Sequence, residues 1–131
     1  MHNRTPTRQD SDITQQYNSG VITICMVENI SSPGELPVEK LRPKYKLRFD
    51  ERRLGLQRFY RGMAEQVKIE RVIRCPFRED ISSQDIAVAS DGRQYAVHMI
   101  QLVQDIWPKS MDITLAATEQ KFEVKHDPAG I

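Results

Sequence analysis

Six consecutive residues, 44–49, alternate strictly between basic and apolar side chains. Because successive side chains of a β-strand point to opposite faces, this period places Tyr45, Leu47 and Phe49 on one face. The segment is therefore predicted to be a half-buried strand with a cationic outer face. That outer face carries Lys44, Lys46 and Arg48.

Several other segments also show strand patterns. Residues 21–27 are rich in β-branched side chains, which is typical of a strand buried on both faces. Residues 67–75 are predicted to form another strand that stops at a proline, with one face carrying Val67, Ile69, Arg71, Ile73 and Cys75. A hairpin is predicted at Asp91-Gly92, because its turn needs a positive φ that glycine adopts without strain. One last strand is expected over residues 111–124.

Loops, one helix and two terminal extensions account for the rest. Residues 1–18 lack an apolar period, which indicates a flexible arm that orders only against a partner. Three prolines and a glycine in residues 29–43 indicate a long loop. Residues 50–53 are expected to turn the chain, and apolar spacings of three and four then predict a short helix over residues 56–66.

Together these elements predict a mainly β fold, a small antiparallel β-barrel or sandwich of five or six strands with one short helix. The length of 131 residues fits a single domain, with a flexible arm (1–18), a barrel core (20–124) and a tail (125–131). No apolar run approaches the roughly 20 residues of a transmembrane helix, so no membrane partner is expected. The polar N-terminus has no signal-peptide pattern, so Cys25 and Cys75 are expected to be cytoplasmic thiols.

The net charge of +1 conceals a strong segregation of charge. Residues 40–61 hold nine basic and two acidic side chains, and the segments on either side each carry a net charge of −3. Such a stretch repels itself unless negative groups lie opposite, either elsewhere in the fold, on a neighbouring subunit, or on DNA. The candidate residues for a DNA-facing, channel-facing or inter-subunit surface are Lys44, Lys46, Arg48, Arg52 and Arg53.

The sequence carries no recognisable motif for catalysis, cofactor binding or metal binding. The three histidines lie far apart in the sequence, and there is no phosphate loop or nucleophile elbow. Asp80, Asp85 and Asp91 occupy loop and turn positions where aspartate commonly forms local hydrogen bonds. The sequence therefore predicts neither an enzyme nor a protein with a cofactor or metal.

An ordered series of short motifs runs from Leu47 to Val124. The series includes Arg48-Phe49-Asp50-Glu51-Arg52, Arg58-Phe59-Tyr60, Arg71-Val72-Ile73-Arg74, Ile81-Ser82-Ser83-Gln84-Asp85-Ile86-Ala87-Val88, Asp91-Gly92-Arg93-Gln94-Tyr95 and Pro108-Lys109-Ser110-Met111-Asp112-Ile113-Thr114-Leu115. In order and spacing it resembles the small head-closure, or head-tail joining, proteins of long-tailed phages and prophages of Gram-positive bacteria.

The resemblance implies an antiparallel β-barrel with an appended helix, made in the host cytoplasm and assembled as a ring, expected to be a hexamer, in the neck of the virion. Implied partners are other copies of the chain, the portal or adaptor on the head side, the tail terminator on the tail side, and packaged double-stranded DNA in the channel. Such proteins have no catalytic residues and close the channel after packaging, often with a loop. Residues 29–43 and the cationic strand are the expected channel-facing segments.

Four of the matched residues are expected to be structural anchors. Asp91 and Gly92 would fix the register of the hairpin, and Tyr95 would anchor its return strand. Arg71 shares the parity of Ile73. If that face is buried, the guanidinium needs an acidic or carbonyl partner inside the domain or across a subunit interface.

Two other functions stay open at this point. One is a tail-completion or tail-terminator protein, which would have a similar size and β architecture. The other is a double-stranded nucleic-acid-binding β module that uses the face of Lys44, Lys46 and Arg48. Roughly three phosphate contacts from that face would give a modest salt dependence, near −0.9 per contact.

Overall fold

The computed structural model describes residues 13–53, 67–118 and 120–124. In chain order, the strands are β1 (Ile13–Thr14), β2 (Gly20–Asn29), β3 (Glu39–Arg52), β4 (Ile69–Pro76), β5 (Ile86–Ala89), β6 (Gln94–Leu102), β7 (Ile106–Trp107), β8 (Ser110–Ala117) and β9 (Glu123–Val124). These ranges contain no helix, and hence none that could cross a membrane. The helix predicted over residues 56–66, the first 12 residues and the tail 125–131 lie outside them.

The six long strands close into a ring in the order β2-β5-β6-β8-β4-β3, with β3 paired to β2. Every neighbouring pair in the ring is antiparallel. This confirms the predicted mainly β fold of six antiparallel strands. The two-residue strands lie at its margins, where β1 pairs with β7 and β9 pairs with β3, both in parallel.

Apolar side chains fill the inside of the ring. The alternation of residues 44–49 is confirmed there, because Leu47 and Phe49 are buried in the core and Tyr45 packs against it. Strand β2 is buried on both faces over residues 22–25, as predicted. Its inward residues Ile22 and Ile24 belong to the main core. Its outward Cys25 belongs to a second cluster outside the ring, with Leu41 and Ile86, against which Phe122 packs.

The prediction of a loop over residues 29–43 is too long, because strands β2 and β3 occupy both of its ends. Strand β2 continues to Asn29 and β3 begins at Glu39, so the loop spans only residues 30–38. Pro43 is accommodated beside a register shift, where the ladder is irregular and a missing N–H donor costs little. The predicted turn at 50–53 is also wrong, because residues 50–52 continue β3 and pair with β4.

The predicted last strand, 111–124, is also shorter than expected. Strand β8 ends at Ala117, and the chain crosses the outside of the ring to place Phe122 over the second cluster. The Gln94 amide fixes this crossing by donating to the Phe122 carbonyl at 2.7 Å and accepting from the Phe122 N–H at 2.8 Å. Packing of the Phe122 ring against this cluster removes apolar surface from water and stabilises the crossing.

The flexible-arm prediction is wrong for residues 13–18. After pairing with β7, this segment runs along the outside of the ring, and Tyr17 shares a hydrogen bond of 2.5 Å with Ser110. Gln15 accepts a hydrogen bond from Arg74 at 3.2 Å. Polar side chains of the sheet thus hold a segment whose own composition carries no strand signal.

Candidate interaction surfaces on the second hairpin strand

The predicted cationic face is interrupted at Lys44. Tyr45 lies opposite Ile24 and Pro43 lies opposite Cys25, so Lys44 is the extra residue of a β-bulge. The Lys44 ammonium lies 2.9 Å from Asp85 and also donates to the Asp80 carbonyl. The Lys44 side chain is 18% exposed and that of Asp85 only 5%. Placing Lys44 on the free outer face was therefore wrong, because the bulge breaks the alternation and redirects its side chain.

Two of the three loop aspartates, Asp85 and Asp91, form the local hydrogen bonds that were predicted. Asp85 accepts from the Ser82 N–H at 2.9 Å, and Asp91 accepts from a backbone N–H two residues later. Asp80 accepts from the Tyr45 hydroxyl at 2.6 Å, which lowers the pKa of the carboxyl and raises the pKa of the phenol. Among the described residues, no three His, Cys, Asp or Glu side chains are grouped so as to hold a metal ion.

Four of the candidate cations remain on or beside the outer face of β3, and we call them the basic stripe: Lys46, Arg48, Arg52 and Arg53. Lys46 and Arg48 are exposed and lie opposite Thr23 and Val21 of β2. Arg48 donates to the Tyr17 carbonyl at 3.2 Å, a contact that orients its guanidinium without neutralising it. Arg52 pairs with Asp50 at 3.2 Å, so its charge is partly compensated.

Arg71 has an acidic partner within the chain. Its guanidinium donates through two nitrogens to Glu51, which raises the pKa of Arg71, and it stacks over the rings of Phe49 and Tyr95 at 5.3 and 5.5 Å. Arg74, on the opposite face of β4, pairs with Asp112 at 2.7 Å. Arg71 thus has the acidic partner that its parity with Ile73 predicted, and Glu51 of the same chain supplies it.

The predicted hairpin at Asp91-Gly92 is present between β5 and β6. Gly92 has a φ of +90°, which favours glycine over residues with a side chain. Its N–H donates to the Ala89 carbonyl at 2.9 Å, and the Ala89 N–H donates to Arg93 at 2.9 Å. Tyr95 follows in β6 as a buried core residue.

The β2–β3 hairpin reaches well past the ring. Strand β5 pairs with β2 only over residues 22–25, and β4 pairs with β3 only over residues 50–52. Residues 26–29 and 39–42 therefore form a two-stranded extension, which we call the hairpin arm. It is supported from one side by β9, which pairs with Lys40 and Leu41.

The loop at the end of this arm, residues 30–38, is the hairpin tip. It is closed by a hydrogen bond of 2.9 Å from the Ile30 N–H to the Val38 carbonyl, and Gly34 supplies a positive φ of +85°. Most of the large apolar side chains exposed in the described chain lie on the arm or its tip, and Leu36 is the extreme at 86% exposure. They are Met26, Ile30, Leu36 and Val38.

The tip is acidic as well as apolar. It contains Glu35 and no basic residue, and Glu39 follows directly at the start of β3. Both glutamates are exposed. This loop and the cationic strand were both expected to face the channel, but the hairpin tip and that strand carry opposite charge. Three large apolar residues inside a stretch rich in turn formers were the available signal for an exposed contact surface.

The two cysteine thiols are poorly placed to act as nucleophiles. Cys25 and Cys75 are free and buried. Burial raises the pKa of Cys25 to about 11 and that of Cys75 to about 12. Since the thiolate is the reactive form, both side chains act as small apolar residues at neutral pH.

Comparison with known proteins adds evidence on the fold. No protein-family model matches the sequence, and no curated protein sequence is similar to it. The solution structure of protein SF1141 from Shigella flexneri 2a is similar, with a TM-score of 0.52 and 13% sequence identity over 87% of this chain and 100% of that chain. At this level of identity, the likeness shows a shared β fold.

Proposed function

We propose that this protein is a structural subunit of the neck of a long-tailed phage virion. In this proposal it forms a ring that closes the head after packaging, retains the DNA, and joins the portal or adaptor side to the tail side. The proposal draws on the resemblance of residues 47–124 to head-closure proteins. It predicts a virion protein without catalytic residues, whose partners are its own copies, the neighbouring neck proteins and packaged DNA.

The observation that carries the proposal is the hairpin arm. A small domain gains no stability from displaying Leu36 at 86% exposure at the end of an extended hairpin. Exposed apolar side chains that cluster in one place commonly mark contact sites between proteins. An arm of this kind suits a subunit that works in an assembly.

Deletion of the gene from the phage or prophage that carries it tests the proposal. We expect DNA-filled heads that lose their DNA and tails that do not attach, both visible by negative-stain electron microscopy. Expression of the wild-type chain from a plasmid should restore joined particles and serves as the control. Infectious, tailed particles from the deletion strain would refute the proposed role, as would a genome without any phage head or tail genes.

The same experiment separates the head-closure role from that of a tail-completion or tail-terminator protein. A subunit that acts only at the tail should leave heads that keep their DNA, with the defect confined to the tails. Leaking heads favour the head-closure role.

A double-stranded nucleic-acid-binding module is less well supported by the arrangement of the cations. Lys44 is held by Asp85, which leaves Lys46 and Arg48 as the fully available members of the predicted face. Two phosphate contacts would give a salt slope of about −1.8, a weak interaction. Tight binding of free DNA by the isolated chain, with a steep salt dependence, would favour this function over the neck role.

A further inference from the structure

Strand β3 carries two surfaces of opposite character at its two ends. Glu39 begins the strand beside the acidic, apolar hairpin tip, and the basic stripe begins at Lys46 and ends just beyond Arg52. Arg48 is nine residues from Glu39, and at about 3.3 Å per residue the two lie about 30 Å apart.

The tip cannot reach the stripe of its own chain. Ladder pairing with β2 holds β3 extended from Glu39 to Phe49, and β9 adds a second partner near the base of the tip. Any contact between the two surfaces must therefore form between two copies.

The chemistry of the two surfaces is complementary. The tip offers Glu35 beside the exposed Leu36, and Glu39 follows the tip at the start of β3. The stripe offers Lys46 and Arg48, whose methylene stems also provide apolar surface. Charge complementarity of this kind fixes orientation and disfavours wrong pairings.

We propose that the hairpin tip of one copy docks on the basic stripe of the next copy. This inference deepens the proposed function, on which it rests for the expectation that the chain forms a ring. The alternative, an apolar contact between two tips, would bring the two exposed Glu35 carboxylates together without a cation in residues 30–38 of either copy.

Contact between two different surfaces has a symmetry consequence. If two copies exchange tips reciprocally, the contact closes as a two-fold dimer; if each tip engages a different copy, it generates a ring when its rotation closes and an open filament when it does not. In the ring arrangement, which the proposed function favours, the arm accounts for assembly without a second interface. Of the three sources of negative charge that the sequence left open for the cationic strand, this one is an acidic surface on a neighbouring subunit.

A charge-swap experiment on the full chain tests the contact. One variant reverses the tip, with Glu35→Lys and Glu39→Lys, and another reverses the stripe, with Lys46→Glu and Arg48→Glu. All four positions are exposed, and thermal melting verifies that both variants fold. Sedimentation velocity and native mass spectrometry give the mass of the wild type, of each variant, and of their equimolar mixture.

We expect the wild type to associate as its concentration rises. Each variant should associate with an affinity at least about tenfold lower, because like charges then face each other. The mixture should recover association, since each reversed surface meets its complement on the other variant. A wild type that stays monomeric up to about 1 mM, the weak limit of specific binding, would overturn the inference. A mixture no more associated than the separate variants would do the same.

Cross-linking verifies the contact without relying on charge variants. Leu36→Cys provides a reactive thiol at the tip, since Cys25 and Cys75 are buried, and a short photo-cross-linker attached there should capture residues 44–53 of another copy. Isotope labelling of half the chains distinguishes links between copies. Leu102→Cys, at another exposed leucine, is the matched control. Links from tip to tip, or equal yields from both positions, would overturn the inference.

The two proposals fail separately. If tip and stripe associate but the gene deletion leaves infectious particles, the contact stands and the neck role falls. If the deletion gives leaking heads while the charge swap has no effect, the neck role stands and this interface falls.

Discussion

Replacement of Lys44 by methionine tests whether this lysine is structural or available to a partner. Lys44→Met keeps most of the aliphatic stem and removes the ammonium that lies 2.9 Å from Asp85. The Asp85 side chain is only 5% exposed, so water cannot fully replace the lost cation. Its remaining partner is the Ser82 N–H at 2.9 Å.

The expected loss follows from this burial. Breaking a buried ion pair by removal of one partner costs about 3–5 kcal/mol. Lys44 is 18% exposed and the Ser82 contact persists, so we expect a value at the lower end, about 3 kcal/mol of unfolding free energy. For a domain of this length, that loss corresponds to a fall of about 10 °C in Tm.

Urea unfolding followed by circular dichroism measures the loss, and Lys46→Met is the matched control on the same strand. Because Lys46 is exposed, its replacement should change the unfolding free energy by no more than about 0.5 kcal/mol. Adding Asp85→Asn to Lys44→Met removes the unpaired charge and should recover about 2 kcal/mol relative to the sum of the two single changes. Equal effects of Lys44→Met and Lys46→Met, or simple additivity with Asp85→Asn, would refute the structural role of this pair.

Three further predictions follow from other contacts. Arg71→Ala should lower the free energy of unfolding by about 2 kcal/mol in urea, because it removes charged hydrogen bonds and two ring contacts; a loss below about 0.5 kcal/mol would contradict the anchor role. Tyr45→Phe should raise the pKa of Asp80 toward its ordinary value in an NMR titration, and an unmoved pKa would contradict the hydrogen bond as its cause. Since the lowered pKa of Asp80 stabilises the fold above the ordinary carboxyl pKa and this contribution is lost on acidification, the variant should also lose less stability as the pH falls. Cys25 and Cys75, with pKa values raised by burial to about 11 and 12, should react with a thiol reagent at pH 8 only on unfolding, whereas rapid labelling of the native protein would contradict their burial.

Several elements could be predicted because their signals are local. The alternation of residues 44–49 places Leu47 and Phe49 inside, since side-chain direction along a strand has a period of two. The Asp91-Gly92 hairpin follows from the positive φ that its turn requires. The need of Arg71 for an acid follows from its parity with Ile73 and the cost of burying an unpaired charge.

Other features depend on which strands become neighbours. The seating of residues 13–18 needs partners from β7 and β8, which lie about 90 residues away in the sequence. The length of the hairpin arm depends on pairing between residues 26–29 and 39–42, although residues 39–42 lie between a loop rich in turn formers and Pro43. Such pairing comes from backbone hydrogen bonds, which the side-chain pattern does not encode.

The sequence by itself determined a β protein with a segregated cationic strand. Strand period, turn chemistry and charge depend only on residues that are adjacent in the chain. Only the tertiary structure decided what those charges do. A bulge of one residue redirects Lys44 to Asp85 and leaves Lys46 and Arg48 outside, and the acidic tip lies beyond the other end of the same strand. The physical reason is that a register shift is selected by packing against the partner strand and reverses the direction of every side chain beyond it.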